Sequence, residues 1–89
     1  MRAVLTVIGQ DKTGIIYNVS KILSESNANI EDISQTIMQG IFTMIMLVDV
    51  SDINCDFSEL TEAMDNLGKS IGMSIRIQHE DIFNAMHSI

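Results

Sequence analysis

The chain has 89 residues, which is one domain at most and enough for a modest core. Twelve acidic against five basic residues give a formal net charge of −7. The cations, Arg2, Lys12, Lys21, Lys69 and Arg76, are scattered, which argues against nucleic acid or an anionic membrane as partner, because such binding rests on clustered Lys and Arg. A single cysteine, Cys55, excludes an intrachain disulfide and suits a reducing cytoplasm. The first apolar run, Ala3 to Ile8, is too short for a secretory signal, and no run approaches the roughly 20 residues that span a bilayer. The expected location is therefore cytoplasmic. No proline and no low-complexity segment marks a linker.

Residues 2–9, RAVLTVIG, are rich in β-branched side chains and predict a first strand. Residues 15–26 place Ile15, Ile16, Val19, Ile22 and Leu23 at helical spacing, and Asn27 can end that helix in the left-handed conformation. Residues 29–38 predict a second strand, but Ile30, Ile33 and Ile37 do not fall on one face of a regular strand. A bulge or an edge position would explain that. Gln39-Gly40 predicts a hairpin turn. Residues 41–50 are apolar on both faces. Phe42, Met44, Met46, Val48 and Val50 form one set, Ile41, Thr43, Ile45 and Leu47 the other, so this third strand is expected to be buried on both sides.

Asp56 and Glu59 have capping-box spacing ahead of a helix with Phe57, Leu60, Met64, Leu67 and Ile71 on its inward stripe, closed by Gly72. Residues 73–79 alternate, with Met73, Ile75 and Ile77 inward and Ser74, Arg76 and Gln78 outward. The tail, 80–89, predicts a short helix with Ile82, Phe83, Met86 and Ile89 on one side.

The order β-α-β-β-α-β predicts an α+β, ferredoxin-like fold with a core over 2–79 and a tail over 80–89. Its four-stranded antiparallel sheet would have strands 1 and 3 in the centre, both helices on one face and a short C-terminal helix. The doubly apolar third strand then leaves an uncovered sheet face, for the tail or a second copy of the chain. A homo-oligomer is expected.

The segment 9-GQDKTGII-16 has two glycines at phosphate-loop spacing, but Ile15 and Ile16 stand where the lysine and hydroxyl residue of that loop belong, which argues against nucleotide hydrolysis. What remains is a helix start at which Gly14 admits close approach and free N–H groups favour a carboxylate. Asp11 could accept from an ammonium group and Lys12 could attract a carboxylate; a free amino acid carries both. The plain structural alternative is that Gly14 permits a turn, Thr13 caps the helix and both charges are solvated. Asp49, Asp52, Asn54, Asp56 and Glu59 crowd one end of the third strand without EF-hand spacing. His79 and His87 lack further ligands nearby, and Cys55 lacks a CxxC partner, so neither a metal nor a cofactor is implied. Met44, Met46, Met64 and Met73 are core fillers, and aromatic residues for stacking RNA bases are lacking.

The residues 11-DKTGII-16, the helix to Leu23 and 27-NANIEDI-33 resemble an ACT domain over Arg2 to His79. At this length the chain looks like the small stand-alone bacterial ACT proteins similar to glycine-cleavage-system transcriptional repressors. It departs in having Thr13 where many members have proline before the glycine. The resemblance implies a non-catalytic regulatory domain that binds an amino acid or similar metabolite where two copies meet. By position the ligand residues would be Asp11, Lys12, Thr13, Gly14 and Ile15, joined by Asn29 and Ile30 from the same or a partner subunit. The alternative is an oligomerisation or partner-docking module without ligand. A small acylphosphatase-like enzyme is a third reading, but the loop lacks that chemistry's arginine.

Overall fold

The computed structural model describes residues 1–87. Its elements are β1 (Arg2–Gln10), α1 (Ile15–Glu25), β2 (Asn29–Met38), β3 (Ile41–Asp49), α2 (Phe57–Ile71), β4 (Ser74–His79) and α3 (Glu80–His87). The strands form one antiparallel sheet in the order β2-β3-β1-β4, so β1 and β3 are central as expected. This is the ferredoxin-like arrangement.

Local chemistry sets the boundaries. Glu59 Oε1 accepts the Asp56 backbone N–H at 3.3 Å, one arm of the capping box that starts α2. Gly72 ends α2 in the left-handed conformation, and Asn27, with φ 60°, turns the chain after α1. Gln39 and Gly40 both have positive φ, as a type I′ hairpin between β2 and β3 requires.

The core lies between the sheet and the two long helices. Ala3, Leu5 and Val7 of β1, the even-numbered residues from Phe42 to Val48 of β3, and Ile75 and Ile77 of β4 point into it. Ile15, Val19 and Leu23 of α1 and Leu60 and Met64 of α2 meet them, and the four methionines expected in the core are there. Ile16 departs from its expected place. It is 39% exposed and faces outward beside β2. Ile82 is likewise exposed rather than packed, while Phe83 is half-buried. The expected inward positions of Met86 and Ile89 lie outside the described side chains.

Strand β2 resolves its own puzzle. Ile30 pairs with Val48 and Asp32 with Leu47, so Glu31 is an inserted bulge residue. The extra residue brings Ile30 onto the same face as Ile33 and Ile37, which oppose the buried Met46 and Phe42. The strand is also an edge, and both physical explanations for its irregular pattern apply at once.

The expectation that β3 is buried on both faces fails within one chain. Ile41 and Ile45 stand exposed on the face away from α1 and α2. Among the described residues only α3 reaches across, lying against β1 and β4 near the start of β1. There the Arg2 guanidinium makes two 2.8 Å bonds to Glu80, and Val4 is 7% exposed.

Candidate functional site

The segment between β1 and α1 is held at three points. The Asp11 N–H donates to the Gly40 carbonyl at 2.8 Å, fixing the segment to the β2–β3 hairpin. The Lys12 ammonium donates to the Ile71 carbonyl at the C-terminus of α2, a favourable place for a cation. Gly14, with φ +88°, is the N-cap of α1. Its carbonyl accepts the Asn18 N–H at 3.0 Å and the Asn18 Nδ2 at 2.8 Å. The N–H groups of Ile15, Ile16 and Tyr17 open the helix without intrahelical acceptors. Thr13 is exposed and caps nothing, because the cap position falls on Gly14 and carries no side-chain bond.

Beside this turn lies a groove of about 360 Å³, lined by Asp11, Lys12, Gly14, Ile15, Ile16, Tyr17, Gln35, Ile37 and Phe42. The structure thus gathers four of the five expected loop residues and leaves Thr13 out of the lining. It adds five that the sequence reading did not include. Gln35 and Ile37 were findable: the Gln39-Gly40 turn sets Ile37 opposite Phe42, and alternation carries Gln35 to the same face. Ile16 and Tyr17 follow from α1 presenting its flank, not its core stripe, to β2. Asn29 and Ile30 are not part of this groove. They line a separate hollow of about 430 Å³ with Ser20, Leu23, Ser24, Asn27 and Ala28. Asn29 pairs with Asp49 at one end of β3, while the groove sits by Phe42 at the other, about 23 Å along the strand at ~3.3 Å per residue. Within one chain, Asn29 and Ile30 therefore stand apart from the Gly14 turn.

A family model for the ACT domain matches residues 2–78. The chain belongs to the ACT domain family. A UPF0237 protein of Methanococcus maripaludis is 57% identical over 86 residues, which is 97% of this chain and 96% of that protein. Among solved structures, an ACT domain protein from Streptococcus pneumoniae superposes with TM-score 0.80 at 41% identity and covers 93% of each chain. A putative glycine cleavage system transcriptional repressor shares the fold, with TM-score 0.76 at 21% identity, over 86% of this chain and 44% of that one. ACT domains are typically regulatory, ligand-binding domains.

The remaining sequence candidates have structural roles in this ACT domain. Asp49 Oδ1 accepts the Ser51 N–H at 2.9 Å, which holds its carboxyl below the ordinary carboxylate range, and the N-terminal ammonium lies 3.8 Å away. Asn27 Nδ2 donates to the Asp52 carbonyl, and Asn54 Nδ2 to the Glu25 carbonyl, each at 2.9 Å, tying the loop after β3 to the end of α1. No group of three metal-ligating side chains gathers among the described residues. His79 stacks on Phe57 with ring centroids 4.0 Å apart, and its Nδ1 has no hydrogen-bond partner among the described residues. Cys55 is half-buried against the core. No helix among the described residues is long and apolar enough to cross a membrane.

One pH effect follows. A depressed carboxyl pKa stabilises the fold above the unfolded value of about 3.9 and loses that contribution as pH falls through the folded value. Asp49→Asn should therefore lower stability modestly at pH 7, where the wild-type contribution is fully present, and flatten the acid limb, so that the two stability-against-pH curves converge below about pH 4. An acid limb identical to wild type would mean the Ser51 contact is not maintained in solution.

Proposed function

We propose that this ACT domain is a regulatory module that binds an amino acid in the Gly14 groove, where two copies meet. The observation that carries the reading is the groove's lining. Asp11 has no ion pair among the described residues and is free to accept an ammonium group. The unpaired N–H groups at the start of α1 suit a carboxylate. Ile16, Ile37 and Phe42 offer apolar surface, which favours an apolar side chain on the ligand. Lys12, engaged at the end of α2, shapes the loop rather than contacting ligand.

The partner copy enters through the edge of β2. Ile16, Tyr17, Ile33 and Ile37 form an exposed apolar border along that edge. Antiparallel pairing of two β2 strands centred on Ile33 would set Asn29 of one copy beside Ile37 of the other. Asn29 and Ile30 would then close the groove in trans, as the resemblance implies. Ligand held by both copies binds the paired state better and shifts the population towards it.

A thermal-shift screen of the free amino acids tests the reading. A ligand at a hundred times its Kd should add about 2.7 kcal/mol, or roughly 10–20 °C for a chain of this size. Asp11→Asn removes a charge-assisted bond of about 1.5–3 kcal/mol and should weaken binding roughly 10- to 100-fold without lowering the unliganded midpoint. No shift from any amino acid at millimolar concentration would leave the oligomerisation or docking module as the reading to keep, a role that the exposed apolar border also favours.

A further inference from the structure

The sheet face opposite α1 and α2 differs from the β2 edge in its chemistry. Away from the end crossed by α3, its two central strands present Thr6, Ile8, Thr43 and Ile45 and no charge. Ile8 and Ile45 stand 50% and 44% exposed. Charge appears only at the flanks, with Asp32 on edge strand β2 and Arg76 on edge strand β4. Neither makes an ion pair among the described residues; the Asp32 carboxylate accepts only the neighbouring Ile33 N–H, at 2.9 Å. Arg76 pairs with Thr6, Thr6 with Ile45, and Ile45 with Ser34, so Arg76 and Asp32 lie within two residues of the same row, one on each side of the apolar centre.

We infer that this face is an interface with a second copy of the chain, related by a two-fold axis parallel to the strands. Such an axis lays β4 of each copy over β2 of the other and brings Arg76 of each towards Asp32 of the other. A two-fold axis running across the strands would instead lay β4 over β4 and oppose two arginines. The remaining offset, about 7 Å along the strand, is within the reach of an arginine side chain, and stacked sheets rotated by about 30° redistribute it further. The pattern is self-complementary, as an isologous interface requires. It buries the second face of β3, the surface that a single chain leaves open.

This inference rests on the homo-oligomeric part of the proposed function and not on the ligand. The β2 edge and the sheet face are separate surfaces, and the face alone gives a dimer.

The test is the molar mass of the ligand-free full chain by light scattering at about 100 μM. Arg76→Glu and Asp32→Lys are exposed changes, expected to leave the far-ultraviolet circular dichroism unaltered. Each alone should halve the mass. Mixing the two variants should restore it, because the mixed pair opposes Glu to Lys at one contact and Arg to Asp at the other. The double variant should also retain the wild-type mass. A monomeric wild type, single variants of unchanged mass, or a mixture that stays at half mass would each overturn the inference. An amino-acid screen without hits alongside a restored mixture would sink the ligand reading and leave this interface standing.

Discussion

Leu5→Ala is expected to destabilise the fold by about 3 kcal/mol, within the range found for buried leucines truncated in well-packed cores. Leu5 is fully buried on central strand β1 and is flanked in register by Met46 of β3 and Ile77 of β4, both buried. Strands on both sides and helices above leave little room for the cavity to collapse. An 89-residue chain at about 0.05–0.15 kcal/mol per residue has only about 4–13 kcal/mol in total. The substitution should therefore lower the thermal midpoint by roughly 12–24 °C. Chemical denaturation at fixed protein concentration checks it: the transition should move to lower denaturant with the slope unchanged, and a loss below about 1 kcal/mol would mean that the core relaxes around the gap.

Gly68→Ala should also destabilise, against the sign that helix propensity gives. Gly68 lies inside α2, where alanine is ordinarily better by about 1 kcal/mol. A Cβ there would meet the Met73 carbonyl oxygen at 2.7 Å and the Ile75 nitrogen at 3.4 Å. These are backbone atoms of the segment entering β4. They cannot rotate aside, and the Met73 N–H is bonded to the Gly68 carbonyl at 2.9 Å. The helix must lift from the sheet, at an overpacking cost of about 1–3 kcal/mol. The net loss should be up to about 2 kcal/mol. A rise in the midpoint would show that α2 sits further from β4 than the structure has it.

Much of this fold was legible because period and punctuation agreed. The alternation of residues 73–79, the Asp56–Glu59 spacing and the Gln39-Gly40 turn each named one local structure, and tertiary packing confirmed it. The apolar doubling of β3 was legible too, but its meaning was not, because the pattern shows that a surface is apolar without showing what covers it. The bulge at Glu31 was legible only as an anomaly. A one-residue insertion shifts the faces, and nothing in the type of residue 31 announces it.

The site was read less completely. The Gly14 turn was visible because a glycine between a strand and a helix signals special backbone geometry. Gln35 and Ile37 required the register of β2 against β3. Lys12 shows a further limit: its ammonium donates to the Ile71 carbonyl at the C-terminus of α2, 59 residues away in sequence, a partner that its local sequence does not name.

In the proposed function the site has two halves, the loop of one copy and the Asn29 end of the other, and neither completes it alone. Occupancy and assembly are then thermodynamically linked, and each should strengthen the other by the same factor.

Backbone amide shifts of the 15N-labelled chain, followed while the amino acid that most raises the thermal midpoint is added, test this most directly. The largest perturbations are expected at Gly14 to Tyr17 and Gln35 to Ile37, with Asn29 and Ile30 moving in the same titration although they lie about 23 Å away within one chain. Perturbations confined to another surface, such as the hollow bounded by Arg2, His79 and Glu80, would contradict it, as would a titration that leaves the Gly14 turn unmoved.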